Sequence, residues 1–208
     1  MPRKSLFVLC AGLLLGIAPL TRATSVNAPD FENLVAQTDY VVRAEVIAVT
    51  SDWRENSKVP GQFYIGSRVE LRVLEVITGN PPQPLVLDVM GGQVGRDAMT
   101  VEGAPNFRVG EESILFVRGN GRMIVPLTAM MHGYYPVRRD PHTGENRVQR
   151  SNGKLLYSEH DVALSLGATS GVLLRNPRAR PLSAAVFSTR IRQTANAIAA
   201  REDPAYLH

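Results

Sequence analysis

YVVRAEVIAVT, residues 40–50, alternates side chains with the two-residue period of a β-strand. Tyr40, Val42, Ala44, Val46 and Ala48 fall on one side. Val41, Arg43, Glu45 and Ile47 fall on the other, so the pattern predicts one buried face and one mixed face. Ser51 to Gly61 is polar and carries Pro60, which reads as a loop. A second long strand follows over Tyr64 to Thr78, with Val69, Leu71 and Val73 sharing a side. Leu74 and Val76 then switch parity, which predicts a bulge or strong bend near Leu74.

Beyond this hairpin, Gly79 to Pro84 is a turn before an alternating strand, Leu85 to Met90. A weaker strand is expected over Ala98 to Glu102 and a short apolar one over Ser113 to Val117. Gly119-Asn120-Gly121 is a strong hairpin signal, with Arg122 to Thr128 as its return strand. Gly133 to Arg138 and Asn146 to Gln149 complete the set. Asp30 to Ala36 reads as a short entry helix, capped by Asp30 with Phe31, Leu34 and Val35 inward. Short strands separated by turn signals predict a mainly β fold, a small antiparallel OB-like barrel over residues 24–150. Residues 151–208 read as a basic extension. It carries a helical turn at Asp161 to Leu166 and a helix over 181–200, whose stripe is Phe187, Ile191, Thr194 and Ile198.

The chain start has the three parts of a cleavable export signal. Arg3 and Lys4 supply charge, Leu6 to Leu20 is apolar, and Thr21 and Ala23 precede a cut after Ala23. The apolar run is shorter than the ~20 residues of a spanning helix, so no stable transmembrane span is expected after cleavage. Bulky Leu9 before Cys10 argues against lipidation. The expected location is exported, periplasmic or extracellular, and the mature chain is disulfide-free because Cys10 is the single cysteine.

Cleavage removes Arg3, Lys4 and Arg22, so the formal charge falls from +4 to +1. The basicity of the full chain is therefore mostly targeting signal, and no nucleic-acid partner is expected. Thr24 to Val137 holds 9 bases and 13 acids, whereas Arg138 to His208 holds 11 bases and 6 acids. That asymmetry reads as a tail docked on an acidic face of the body. A weak contact with an anionic surface is the other reading.

Candidate chemistry is sparse. Gly91-Gly92-Gln93-Val94-Gly95 lacks the lysine and hydroxyl of a phosphate loop, so its glycines read as a bulge or a close strand approach. His132, His142, His160 and His208 show no metal-ligand spacing, and no metal site or cofactor is assigned. Ser158, His160 and Asp161 are too close in sequence for a nucleophilic triad. Glu45, Glu70 and Asp88 project from strands as carboxylates that glycoside chemistry would need across a cleft. No catalytic residue is assigned. The binding candidates are Trp53, Phe107, Glu111 and Tyr134, from aromatic groups near strand ends and the Gly103 to Glu111 loop.

Asp39-Tyr40-Val41-Val42 to Val49, Val69 to Gly79, Gly91-Gly92 with Gly95, Gly103 to Glu111 and Leu115-Phe116 together resemble a group of uncharacterised exported bacterial proteins. The resemblance spans roughly Asp39 to Val137 and implies a fold, not a reaction. The strand order is also loosely similar to OB-type barrels, including the netrin-like modules of metalloproteinase inhibitors. Those modules use an N-terminal cysteine and disulfides, so their mechanism does not carry over. The expectation is an exported, non-enzymatic binding or interaction module for a protein or glycan partner. A secreted hydrolase with an unrecognised acid/base site and an envelope-surface protein are the alternatives.

Overall fold

The computed structural model describes residues 27–202. The expected export segment and His208 lie outside them. Among the described residues the fold is mainly β, with eight strands and a long C-terminal helix. Helix α1 (Phe31–Ala36) starts where the Asp30 carboxylate accepts the Asn33 N–H at 2.8 Å, and it buries Phe31, Leu34 and Val35. The strands are β1 (Tyr40–Glu55), β2 (Phe63–Gly79), β3 (Leu85–Met90), β4 (Gly92–Val94), β5 (Asp97–Met99), β6 (Glu112–Val117), β7 (Tyr134–Arg139) and β8 (Asn146–Val148). Helices α2 (Gly171–Arg175) and α3 (Ala184–Glu202) follow.

One six-stranded antiparallel sheet runs β3-β2-β1-β6-β7-β8, and β4-β5 is a separate two-stranded flap. Its spine is the β1–β2 hairpin. The register there skips Leu74, where the parity switch predicts a bulge, and also skips Ile77 and Ile47. Each extra residue adds bend and twist to the ladder.

The sheet is not closed into a barrel, because β3 and β8 remain its two ends. The reason lies in the apolar residues of both parities. A barrel has one interior, whereas this sheet buries both faces. Val41, Ile77, Ile114, Phe116, Tyr135 and Val148 face α1 and α3. Tyr40, Val42, Val46, Leu71, Leu87, Leu115 and Tyr134 form a second core on the opposite face, covered by Phe107, Val125 and Leu127. The expected mixed face of β1 is therefore buried near Val41 and polar only around Arg43 and Glu45.

The expected return strand over Arg122 to Thr128 is not a strand. Arg122 and Met123 both donate to the Gly119 carbonyl, which makes a turn, and only Leu127 bridges to Val117. The loop instead seals the end strand. The Asn120 amide donates to Val86 O at 2.7 Å and accepts from Asp88 N at 3.2 Å, while Met90 N donates to Ile124 O at 2.7 Å. The other end is also covered, since Val148 bonds to Leu156 and Leu182 through its backbone.

Residues after 150 share the core. Leu156, Val162, Leu182, Phe187 and Ile191 are buried with Phe116 and Val148. Ala195 and Ile198 extend the packing stripe of α3. The basic residues of α3 are spent on carboxylates. Arg192 and Ser188 reach Glu75, Arg201 reaches Glu32 at 2.8 Å, and Arg190 reaches Glu159 within the tail. No helix among the described residues is long and apolar enough to cross a membrane.

Candidate functional site

A built concavity lies on the face away from α3. It is a cleft of about 450 Å³. Val49 and Ser51 of β1, Ser67 and Val69 of β2 and Val89 of β3 form its floor. The register brings these side chains together, because Val49 pairs with Val69 and Ser51 with Ser67. Gln93, Ala98 and Met99 of the flap and the Ala104 to Phe107 segment form its walls.

One hydroxyl, supported by a second, ties the chain entering the flap to the floor. Ser67 Oγ donates to Gly91 O at 2.6 Å and lies 2.9 Å from Ser51 Oγ. Gly91 N donates to Ile65 O at 2.8 Å. The chain thus leaves β3 and crosses directly over the hairpin, the close approach that the paired glycines predict. Serine at a core parity, in line with Val69 and Leu71, is the sequence signal for this floor. Ser51 escapes that reading because β1 runs on to Glu55, beyond the expected loop boundary.

Three of the four binding candidates come together at the inner end of the cleft. Phe107 lines it and meets the Tyr134 ring edge-on, with centroids 5.5 Å apart. Behind them, Arg138 donates to Glu111 at 2.6 Å, and the Tyr134 hydroxyl donates to the same carboxylate at 3.5 Å. Phe107 and Tyr134 are buried, so this trio supports the cleft wall more than it presents a lip. Trp53 stands apart, on a strand and not in a loop. It pairs with Ile65 on the cleft-facing side and is 50% exposed.

Burial pushes the Tyr134 phenol up to about 12, with the Glu111 charge adding to the effect. The folded value lies above the unfolded value of about 10. The native state therefore holds the proton more tightly, and the linked stability is complete below about pH 10 and lost as pH rises toward 12. Tyr134→Phe is expected to flatten the alkaline limb of a stability–pH profile by up to ~1.4 kcal/mol per pH unit. Denaturant titrations between pH 9 and 12 measure it, and an unchanged slope would refute the assignment.

The other chemical candidates lie elsewhere. Glu45, Glu70 and Asp88 have the opposite parity to the cleft floor. Glu45 pairs with Arg72, and Asp88 with Arg54 at 3.0 Å. The Asp161 carboxylate accepts the Tyr157 and Ser158 N–H groups at 2.9 and 3.1 Å, so it shapes a turn beside exposed His160. Among the described residues, no three His, Cys, Asp or Glu side chains gather as metal ligands. The chain matches no protein-family model, and comparison with curated proteins finds no match.

Proposed function

We propose that this protein is an exported, non-enzymatic binding module that holds an uncharged segment of a partner in the cleft above β1 and β2. The lining carries this reading. It is built from aliphatic, aromatic, hydroxyl and amide side chains, from Val49 and Ser51 through Gln93 and Asn106 to Phe107. A charged ligand group placed there would lose hydration without an ionic partner, whereas an apolar or hydroxylated one would not. Acid–base catalysis needs a titratable group within hydrogen-bond reach of the reacting atom. The strand carboxylates point from the other face, which favours binding over hydrolysis. Export rests on the N-terminal signal pattern.

Peptide and glycan arrays probed with residues 24–208 test the reading. Captured ligands are expected to be uncharged where they meet the cleft lining. Val49→Asp alters a partly exposed cleft position and is expected to weaken capture more than tenfold. Capture unaffected by Val49→Asp would overturn the cleft as the site. Turnover of a hydrolase substrate, abolished at a carboxylate or at His160, would replace it with the enzymatic reading.

A further inference from the structure

The chain covers both end strands of the six-stranded sheet. Asn120 and Ile124 occupy the edge of β3, and Leu156 and Leu182 occupy that of β8. Two inner strands outrun a neighbour: β2 beyond Leu71, where skips at Leu74 and Ile77 break the ladder, and the distal half of β1. Strand β6 pairs with β1 only from Tyr40 to Glu45, and the last backbone bonds on that side join Val46 to Gly110 and Glu111. From Ile47 to Glu55 the strand pairs with β2 alone among the described residues.

Natural sheets blunt such edges with charged side chains, lysine above all, or with proline, bulges or a covering segment. The stretch IAVTSDWRE, residues 47–55, has neither lysine nor proline; its bulge lies at Ile47 and its charges at Asp52, Arg54 and Glu55, which leaves Ala48 to Ser51 unblunted. Its alternation matches the cleft. Val49, Ser51 and Trp53 face the cleft side, continuous with Ile65 and with Phe63, which is 59% exposed. Thr50, Asp52 and Arg54 face outward. There Arg54 is shared by Asp52 at 2.7 Å and Asp88 at 3.0 Å, two carboxylates for one guanidinium. The Asp52 side chain is 57% exposed and offers a carboxylate at the strand edge, whereas exposed Arg68 lies one strand further in, across from Thr50.

We propose that this edge accepts an extended peptide segment of a partner protein as an added strand, antiparallel to β1, in the row that β6 vacates at Gly110. Backbone hydrogen bonds supply affinity, and alternate side chains supply selection. Uncharged apolar side chains of the segment meet Val49, Trp53 and the cleft, and basic ones on the other face meet Asp52. This names the partner class for the cleft reading above and rests on it. A glycan lacks the repeating amide donors and acceptors that an open edge calls for.

The test uses a blocked seven-residue peptide alternating valine with lysine, and a twin N-methylated at alternate amides on the pairing edge. Hydrogen exchange of residues 48–54 is read with each. The parent peptide is expected to slow exchange there at least tenfold and the twin to have no effect. Val49→Asp is expected to abolish the protection. A twin that binds as well as its parent would overturn the added strand while leaving side-chain capture in the cleft standing. Absence of protection at millimolar parent peptide would overturn the inference, and the arrays would still decide the cleft reading separately. Array capture confined to glycans would also overturn it. So would edge amides already protected in a concentration-dependent dimer of the protein alone.

Discussion

Phe187→Ala is expected to lower the stability of the folded chain by about 3–5 kcal/mol. The side chain is fully buried and sits where α1 and α3 meet the sheet. Its ring lies 5.2 Å from Tyr135, 5.7 Å from Phe31 and 6.2 Å from Phe116, so truncation empties a space shared by three other aromatic rings. At about 2–4 °C per kcal/mol for a chain of this size, the thermal midpoint falls by roughly 6–20 °C. The ion pairs of α3 do not compare. Arg192 is 43% exposed at its pairing with Glu75, and exposed pairs contribute about 0–1 kcal/mol. Arg192→Ala is therefore the control, with an expected loss under about 1 kcal/mol. Urea titrations of the two variants settle the matter. A larger loss for Arg192→Ala than for Phe187→Ala would mean that charge, and not apolar burial, holds the helix.

That ranking also explains which parts of the molecule were legible in its sequence. The stripe of α3 is readable because Phe187, Ile191 and Ile198 recur at helical spacing beside a polar face. The bulge at Leu74 is readable because side-chain parity is strict in a strand, so one extra residue shows at once. Closure is not readable in the same way. Alternation says that a face is buried but not what buries it, and here α1 and α3 cover the face that a barrel would have turned outward. The end of β1 was hidden for a related reason. Ser51, Asp52 and Arg54 lie in a strand that pairs on one side only among the described residues, and its polar composition mimics a loop.

The cleft was the least legible feature because its floor comes from three strands and its walls from separate segments. Phe107, Glu111 and Tyr134 were found through aromatic and turn signals, and they mark only the supporting end. Ser51 and Ser67 are 16 residues apart in sequence and meet only through the hairpin register. A hydroxyl at an apolar parity was the one local clue.

Gly92→Ala is expected to cost about 2–4 kcal/mol, combining backbone strain with steric overlap, and to weaken ligand capture more than tenfold. Gly92 has φ +137°, a conformation that side chains with a Cβ rarely adopt. A methyl there would also overlap both Ser51 Oγ and Ser67 Oγ and approach Ser51 Cβ to 3.0 Å. The floor has little room to yield, because those hydroxyls bond to each other and Ser67 Oγ also donates to Gly91 O. The flap must lift instead, carrying the cleft wall with it. Gly95, at the flap tip, separates the two contributions. Its φ is +61°, but a Cβ there meets nothing within 4 Å. Gly95→Ala is thus expected to cost only the conformational part, about 1 kcal/mol, and to leave capture intact. Chemical denaturation gives the stability difference, and array binding gives the functional one. If the two alanine variants cost the same, the tight crossing over the serine pair is not what shapes the cleft. If Gly92→Ala is destabilised while capture survives, the flap holds the fold but does not form the binding wall.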